Sequence, residues 1–166
     1  MKKKIVFLIL ISVSLNAQVE RYNQSRDRAS VLEMIKKNAA VFVDAAEEDA
    51  QEGSFELDFG QKFTLKRTIY VYREGNKTVG FISYLTMGDE NPMGMIARLA
   101  ILPEYCKKGF AQALIKQAMQ DLQKQNKKAV LVTFVEGNTP AERLYEKVGF
   151  EKVAEAPGQV VYGKQL

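Results

Sequence analysis

The stretch from Met95 to Leu122 constrains this chain more than any other. Its first part, Met95 to Leu102, is apolar except for Arg98 and stops at Pro103, which predicts a strand buried on both faces. A helix is expected to begin near Gly109. Its apolar residues Ala111, Leu114, Ile115, Ala118 and Leu122 fall on one stripe, while Gln112, Lys116, Gln120 and Lys124 face away. The unit is strand, tight loop, helix.

The loop carries chemistry because the first turn of a helix has N–H groups without partners and the positive end of the helix dipole. Gly109 lets a ligand approach the backbone closely, Ala111 is small, and Lys107 and Lys108 add positive charge. Together they suit a phosphate or pyrophosphate. On these residues alone, a solvated basic loop between strand and helix accounts for the pattern as well.

The segment L-A-I-L-P-E-Y-C-K-K-G-F-A-Q-A-L resembles the acetyl-CoA loop of the GNAT superfamily of N-acetyltransferases, usually Gln/Arg-x-x-Gly-x-Gly/Ala. Gly109 and Ala111 match, whereas Cys106 stands where Gln or Arg is usual. A second segment, V-E-G-N-T-P-A-E-R-L-Y-E-K-V-G-F from Val135 to Phe150, lies at the spacing the family shows between that loop and its last helix. The resemblance covers residues 18–166. It implies an α/β (α+β) fold, a mixed central sheet of about six to seven strands with helices on both faces. In that fold the strand ending at Leu102 splays from the one beginning near Lys128, and pantetheine lies in the gap.

The resemblance further implies acetyl-CoA as co-substrate, without a metal, and direct acetyl transfer to an amine in a ternary complex. Cofactor contacts then fall on Leu99, Ala100 and Ile101, whose backbone N–H groups would polarise the carbonyl, on Lys107, Lys108, Gly109, Phe110, Ala111 and Gln112, and on Asn138 and Ala141. Because the route has no acyl-enzyme, Cys106 is not a nucleophile. An alkyl ammonium of pKa near 10.4 is only about 0.04 per cent free base at pH 7, a handicap of roughly 4.6 kcal/mol, so a base or water relay must help. Glu104 is the first candidate base, with Asp89 and Glu90 behind it. Tyr145 would protonate the departing thiolate. Read without the resemblance, Tyr145, four residues after Ala141 on one helix face, is a core aromatic.

The last helix is expected to start with Thr139 as N-cap, Pro140 at its first position and Glu142 completing a capping box, and to end at Gly149. Asn138 could cap the helix or, as the resemblance implies, hydrogen-bond the pantetheine arm. Upstream, Thr68–Arg73 and Thr78–Leu85 read as a hairpin turning at Gly75-Asn76, and Gly88 to Met93 as a loop. Lys128–Phe134 and Gly158–Gly163 read as strands, Gln18–Gln24 as a short first strand and Asp27–Val43 as a helix. Seven acidic residues between Asp44 and Asp58, with no Lys or Arg among them, read as a solvated face; the resemblance, which implies that this region borders the acceptor cleft, allows instead an acidic rim attracting a cationic amine.

At the N-terminus Lys2 to Lys4, an apolar run from Ile5 to Leu15 and Asn16-Ala17 have the outline of a secretory signal peptide over 1–17, with cleavage after Ala17. Eleven helical residues span about 16 Å, too short for a ~30 Å bilayer core, so no stable membrane anchor is expected; the alternative is a buried first element of the domain. Export conflicts with a cytosolic acetyl-CoA supply. The rival function is therefore an exported GNAT-like binding module without catalysis. Three of the 24 Lys/Arg lie in the leader, leaving 21 against 20 Asp/Glu, which argues against a nucleic-acid binder driven by bulk charge. One cysteine forms no internal disulfide, and a chain with no His has no His-based triad and no plausible zinc site. The acceptor is an amine-bearing small molecule or a peptide or protein, and the oligomeric state is open.

Overall fold

The structure is a computed structural model and describes residues 18–38, 55–58 and 64–166. The elements are β1 (Gln18–Arg21), α1 (Gln24–Lys37), β2 (Phe55–Asp58), β3 (Thr64–Glu74), β4 (Lys77–Met87) and β5 (Met93–Ile101). A 3₁₀ turn, Pro103–Tyr105, leads to α2 (Phe110–Lys124), β6 (Ala129–Val135), α3 (Thr139–Lys147), β7 (Glu151–Ala156) and β8 (Gln159–Gln165). The expected leader over 1–17 and most of the acidic run lie outside the described residues, as does the expected end of the first helix at 39–43. Glu56 and Asp58 of that run fall in β2.

The eight described strands form one sheet in the order β1-β3-β4-β5-β6-β8-β7, with β2 also paired to β3. Every pairing is antiparallel except β5 with β6, the two strands that α2 connects. That is the expected mixed sheet, one strand larger than anticipated. The hairpin turns where predicted, with Gly75 at φ +58°, a conformation that favours glycine.

Helices cover both faces, and two neighbouring residues of β3 demonstrate it. Tyr72 stacks on Phe110 of α2 with ring centroids 4.1 Å apart, whereas the next residue, Arg73, reaches Asp27 of α1 at 3.0 Å. Successive side chains of a strand point to opposite faces, so α1 and α2 do too. On the α2 side the core takes Leu114, Ile115, Ala118 and Leu122, the expected stripe less Ala111. Gly94 sits under Leu122, where a Cβ would come within 2.5 Å of a leucine methyl.

On the other side α1 buries Val31, Met34 and Ile35 together with one carboxylate, Asp27. Its oxygens accept hydrogen bonds from the Asn23 N–H (2.9 Å), Arg26 Nε (2.9 Å), Arg73 Nη1 (3.0 Å) and Thr78 Oγ1 (2.8 Å). Burial pushes this carboxyl up, but the bonds from Arg26, Asn23 and Thr78 outweigh that and hold it below its ordinary value. α1 also begins three residues earlier than expected, because Asn23 rather than a later residue caps it, accepting from Arg26 N–H at 3.2 Å.

Three further expectations need correction. β5 is not buried on both faces: Gly94, Ile96, Arg98 and Ala100 are buried, while Met95, Ala97, Leu99 and Ile101 are not. The helix cap of α3 is Asn138, whose side chain accepts from the Ala141 N–H at 3.3 Å, so Thr139 already lies inside the helix. Glu142 does not complete a capping box but accepts the Tyr162 hydroxyl at 2.9 Å. The strand β7 was not anticipated, since all six of its residues are exposed and no buried face patterns the sequence Glu-Lys-Val-Ala-Glu-Ala.

Candidate active site

β5 and β6 pair only from Met93 opposite Ala129 to Ile96 opposite Val132. Beyond that point β5 stays with β4 and β6 with β8, so the two strands diverge. The divergence starts at a bulge: on β4, Ser83 faces Arg98 and the next residue, Tyr84, faces Ile96, which leaves Ala97 as the extra residue. A bulge interrupts the ladder and turns the following side chains over. Arg98 and Ala100 consequently lie opposite Ser83 and Phe81, and Leu99 and Ile101 opposite Ile82 and Gly80. Between the arms is a cavity of about 780 Å³.

One wall of it is the start of α2. Gly109 is the N-cap at φ +85° and supplies no side-chain cap, so the first-turn N–H groups of the helix face the cavity without one. Nothing lies within 4 Å of where its Cβ would be; the backbone angle, not space, is what calls for glycine. Lys107, itself at φ +62°, lines the cavity, as do Phe110, Ala111 and Gln112. Ala111 is missing from the buried stripe because it faces this opening. Lys108 turns away, its ammonium 4.7 Å from the centre of the Tyr105 ring. Cys106 also lines the cavity, and its thiol points to Leu102 O at 3.6 Å.

The opposite wall is α3. Its Asn138, Ala141 and Tyr145 line the cavity, and Leu99, Ala100 and Ile101 of β5 form the remaining side. The Tyr145 ring stacks on Phe134 with centroids 5.7 Å apart and meets Phe150 edge-on at 5.2 Å. Burial pushes its phenol well above the ordinary value.

Of the residues singled out in the sequence, Glu104 and Lys108 are not brought to the cavity. Glu104 is exposed and paired with Lys77 at 3.3 Å. A backbone hydrogen bond at its own residue and then the Lys77 ammonium hold its carboxyl below the ordinary value. Asp89 and Glu90 do not line the cavity either. Sequence reading missed Asn38, Arg98, Thr133, Arg143 and Lys147, which do. Arg98 had left a signal, as the one polar residue in the apolar run. Arg143 and Lys147, four apart on α3, share a face. The charged residues lining the cavity are Arg98, Lys107, Arg143 and Lys147, all cations; among the described residues no carboxylate lines it.

The acetyltransferase (GNAT) family model matches residues 32–150, and the chain belongs to this family. A Thermoplasma acidophilum PaiA N-acetyltransferase, solved in complex with coenzyme A, superposes with a TM-score of 0.70 at 13% identity, over 90% of this chain and 98% of that one. The ribosomal-protein-S18-alanine N-acetyltransferase of Escherichia coli gives 0.66 at 14% identity, over 89% and 92%. YncA of Salmonella typhimurium, solved with its cofactor acetyl-CoA, gives 0.68 at 15%, over 91% and 94%. At such identities the likeness is one of fold. UPF0157 protein YqkA of Bacillus subtilis (strain 168) is 38% identical over 82 residues, which is 49% of this chain and 22% of that relative. The chain thus spans about a fifth of that curated relative's length.

Proposed function

We propose that the chain transfers an acetyl group from acetyl-CoA to an amine by direct attack in a ternary complex. The observation that carries this reading is the opening between β5 and β6 with an uncapped helix start on one wall and a buried tyrosine on the other. The lining fits the group: unfilled N–H donors at Gly109 to Gln112, the Lys107, Arg143 and Lys147 cations, and no described carboxylate to repel phosphates.

Acetyl-CoA, when bound, supplies a thioester whose carbon–sulfur bond breaks as the amine nitrogen bonds to the carbonyl carbon. The N–H groups of α2's first turn and Lys107 would hold the pyrophosphate. The backbone after the Ala97 bulge, Leu99 to Ile101, runs along the cavity and would polarise the carbonyl oxygen. Tyr145, kept protonated by its burial, would give its hydroxyl proton to the leaving sulfur; the same apolar surroundings that raise the phenol also disfavour a bare thiolate. Glu104, salt-bridged and outside the cavity, is not available for the amine's proton, which we assign to water at the cavity mouth.

Calorimetry with acetyl-CoA and thiol release across a panel of amines test this reading. Binding with turnover of at least one amine is expected, and absence of binding overturns it. Cys106 at the position where Gln or Arg is usual favours the second reading, a module that binds without catalysis; binding with no turnover across the panel would select it. We also propose that residues 1–17 direct export and are removed. The intact mass of protein isolated from its host should correspond to a chain beginning at Gln18, and a retained leader overturns that part alone.

A further inference from the structure

The loop that leads into α2 has few bonds of its own. Lys107 at φ +62° and Gly109 at φ +85° are both left-handed, a conformation that costs a lysine energy. Main-chain bonds close the 3₁₀ turn, from Tyr105 N–H to Leu102 O at 2.8 Å and from Cys106 N–H to Pro103 O at 3.2 Å. The next in the chain is from Ala113 N–H to Gly109 O; among the described residues the N–H groups of Lys107 to Gln112 donate to no main-chain oxygen. Side chains hold the loop instead. The Phe110 ring, on the first residue of α2, stacks on Tyr72 of β3 with centroids 4.1 Å apart and planes 16° from parallel. Tyr105 stacks against the same Phe110 ring at 6.4 Å and carries the ammonium groups of Lys108 and Lys77 at 4.7 and 5.1 Å from its centre. Tyr72 and Lys77 both belong to the β3–β4 hairpin, so the hairpin is the frame to which the loop is fastened. Phe110 and Tyr105 line the cavity, whereas Tyr72, 6% exposed, does not.

We infer that Tyr72 is a positioning residue for the acyl donor: acting through Phe110, it holds the Lys107–Ala111 loop in the shape whose free N–H groups can take a pyrophosphate. The inference rests on the acetyl-transfer reading and adds to it a residue outside the cavity. Stacked rings fix both separation and tilt, which an aliphatic contact of the same area does not. Without the Tyr72 ring face, a loop with two left-handed residues and no main-chain bonds of its own spreads over several conformations. The donor must then select among them, and its apparent Kd rises by the inverse of the fraction in the competent shape. A saturating donor restores that shape, so turnover at saturation is preserved.

The test uses the full chain, acetyl-CoA and an amine that the wild type turns over. Tyr72→Leu should raise the Kd and KM for acetyl-CoA about tenfold, as if one loop in ten were competent, while kcat and the KM for the amine stay within about twofold. Tyr72→Phe keeps the ring face and should match the wild type. Tyr70→Leu is the control: Tyr70 lies on the same face of β3 but reaches Asp121, far along α2, at 3.1 Å, so its loss should leave acetyl-CoA affinity alone. Hydrogen exchange at Lys107 to Gln112 should be faster in free Tyr72→Leu than in the free wild type, and acetyl-CoA should slow it again. An unchanged Kd in Tyr72→Leu overturns the inference, as does an equal loss of affinity in Tyr70→Leu of matched stability, or a fall confined to kcat. Should Tyr72→Leu not fold, Tyr72→Met gives the same contrast, and a tenfold loss already in Tyr72→Phe overturns the inference. A wild type that binds without turnover leaves the Kd comparison to decide. Donor affinity retained without the ring removes this inference alone, while a wild type that binds no acetyl-CoA removes the transferase reading with it.

Discussion

Two helices begin at the cavity, and they begin in opposite ways. α3 is closed: the Asn138 side chain takes the Ala141 N–H, and Pro140 has no N–H to satisfy. α2 is open, because Gly109 has no side chain with which to cap and adopts a left-handed angle that presents the bare first turn. Helix ends without caps are stabilised by something else, and the cations beside this one suit an anion. The difference divides the labour. On the acetyl-transfer proposal α2 would offer backbone N–H groups to the phosphates, and α3 would offer side chains, Tyr145 for the proton and Arg143 and Lys147 for charge.

That division is open to attack. The largest effect is expected from Tyr145→Phe, which keeps the ring between Phe134 and Phe150 but removes the hydroxyl: kcat should fall about 10²- to 10⁴-fold, or ~3 to 5 kcal/mol, with acetyl-CoA affinity nearly unchanged. Steady-state kinetics beside calorimetry check it, and a variant within twofold of wild type in kcat returns Tyr145 to the core. Gly109→Asp should do the reverse. Its carboxylate would cap α2 from within and repel phosphate, weakening acetyl-CoA binding roughly 10- to 100-fold, on the scale of one or two charged hydrogen bonds. Gly109→Ala is the control, since with nothing within 4 Å of its Cβ it costs only the strain of φ +85°, about 1 kcal/mol in thermal unfolding.

A smaller effect sharpens the α3 side. Asn138→Ala should lower stability by about 1 kcal/mol through loss of the cap. Asn138→Asp retains a capping oxygen but not the amide donor, so any loss of acetyl-CoA affinity in a variant of undiminished stability, about two- to tenfold, belongs to a ligand hydrogen bond. The smallest expected change is at Cys106→Arg, which adds a guanidinium at the cavity's edge. Binding of acetyl-CoA should tighten a few-fold and the gain should shrink as salt rises. No gain at low salt would mean that the α2 start binds without help from this position.

Much of this arrangement was readable beforehand, for reasons that differ by element. The β3–β4 hairpin and the α2 stripe announce themselves because burial imposes periods of two and 3.6 on their residues. β7 has no buried face and left no period to read. Asn138 and Asn23 are caps that differ from the expected start by one and by three residues, a matter of which polar side chain reaches a backbone N–H and not of composition. At the site, Gly109, Asn138 and Tyr145 were found through two linked motifs, whereas Arg98 read only as an interruption. The Ala97 bulge that gives Arg98 its position is a backbone event, and nothing in Ile-Ala-Arg-Leu marks it. Glu104 drew attention as a carboxylate near the loop; Lys77, 27 residues upstream, reaches it across the fold.

The Asp27 cluster has a consequence for acid. Five hydrogen bonds from four residues hold that carboxylate in its ionised form, so its folded pKa lies below the value near 3.9 of an unfolded aspartate. Its contribution is therefore complete at neutral pH, begins to fade as pH drops past the unfolded value, and is gone once pH has fallen through the folded one. Protonation would leave the Arg73 guanidinium, nearly dry between α1 and the hairpin, without its counter-charge. Acid should accordingly loosen α1 from the sheet, and hydrogen exchange near pH 3 should report it first at Val31, Met34 and Ile35, the residues that α1 buries beside Asp27.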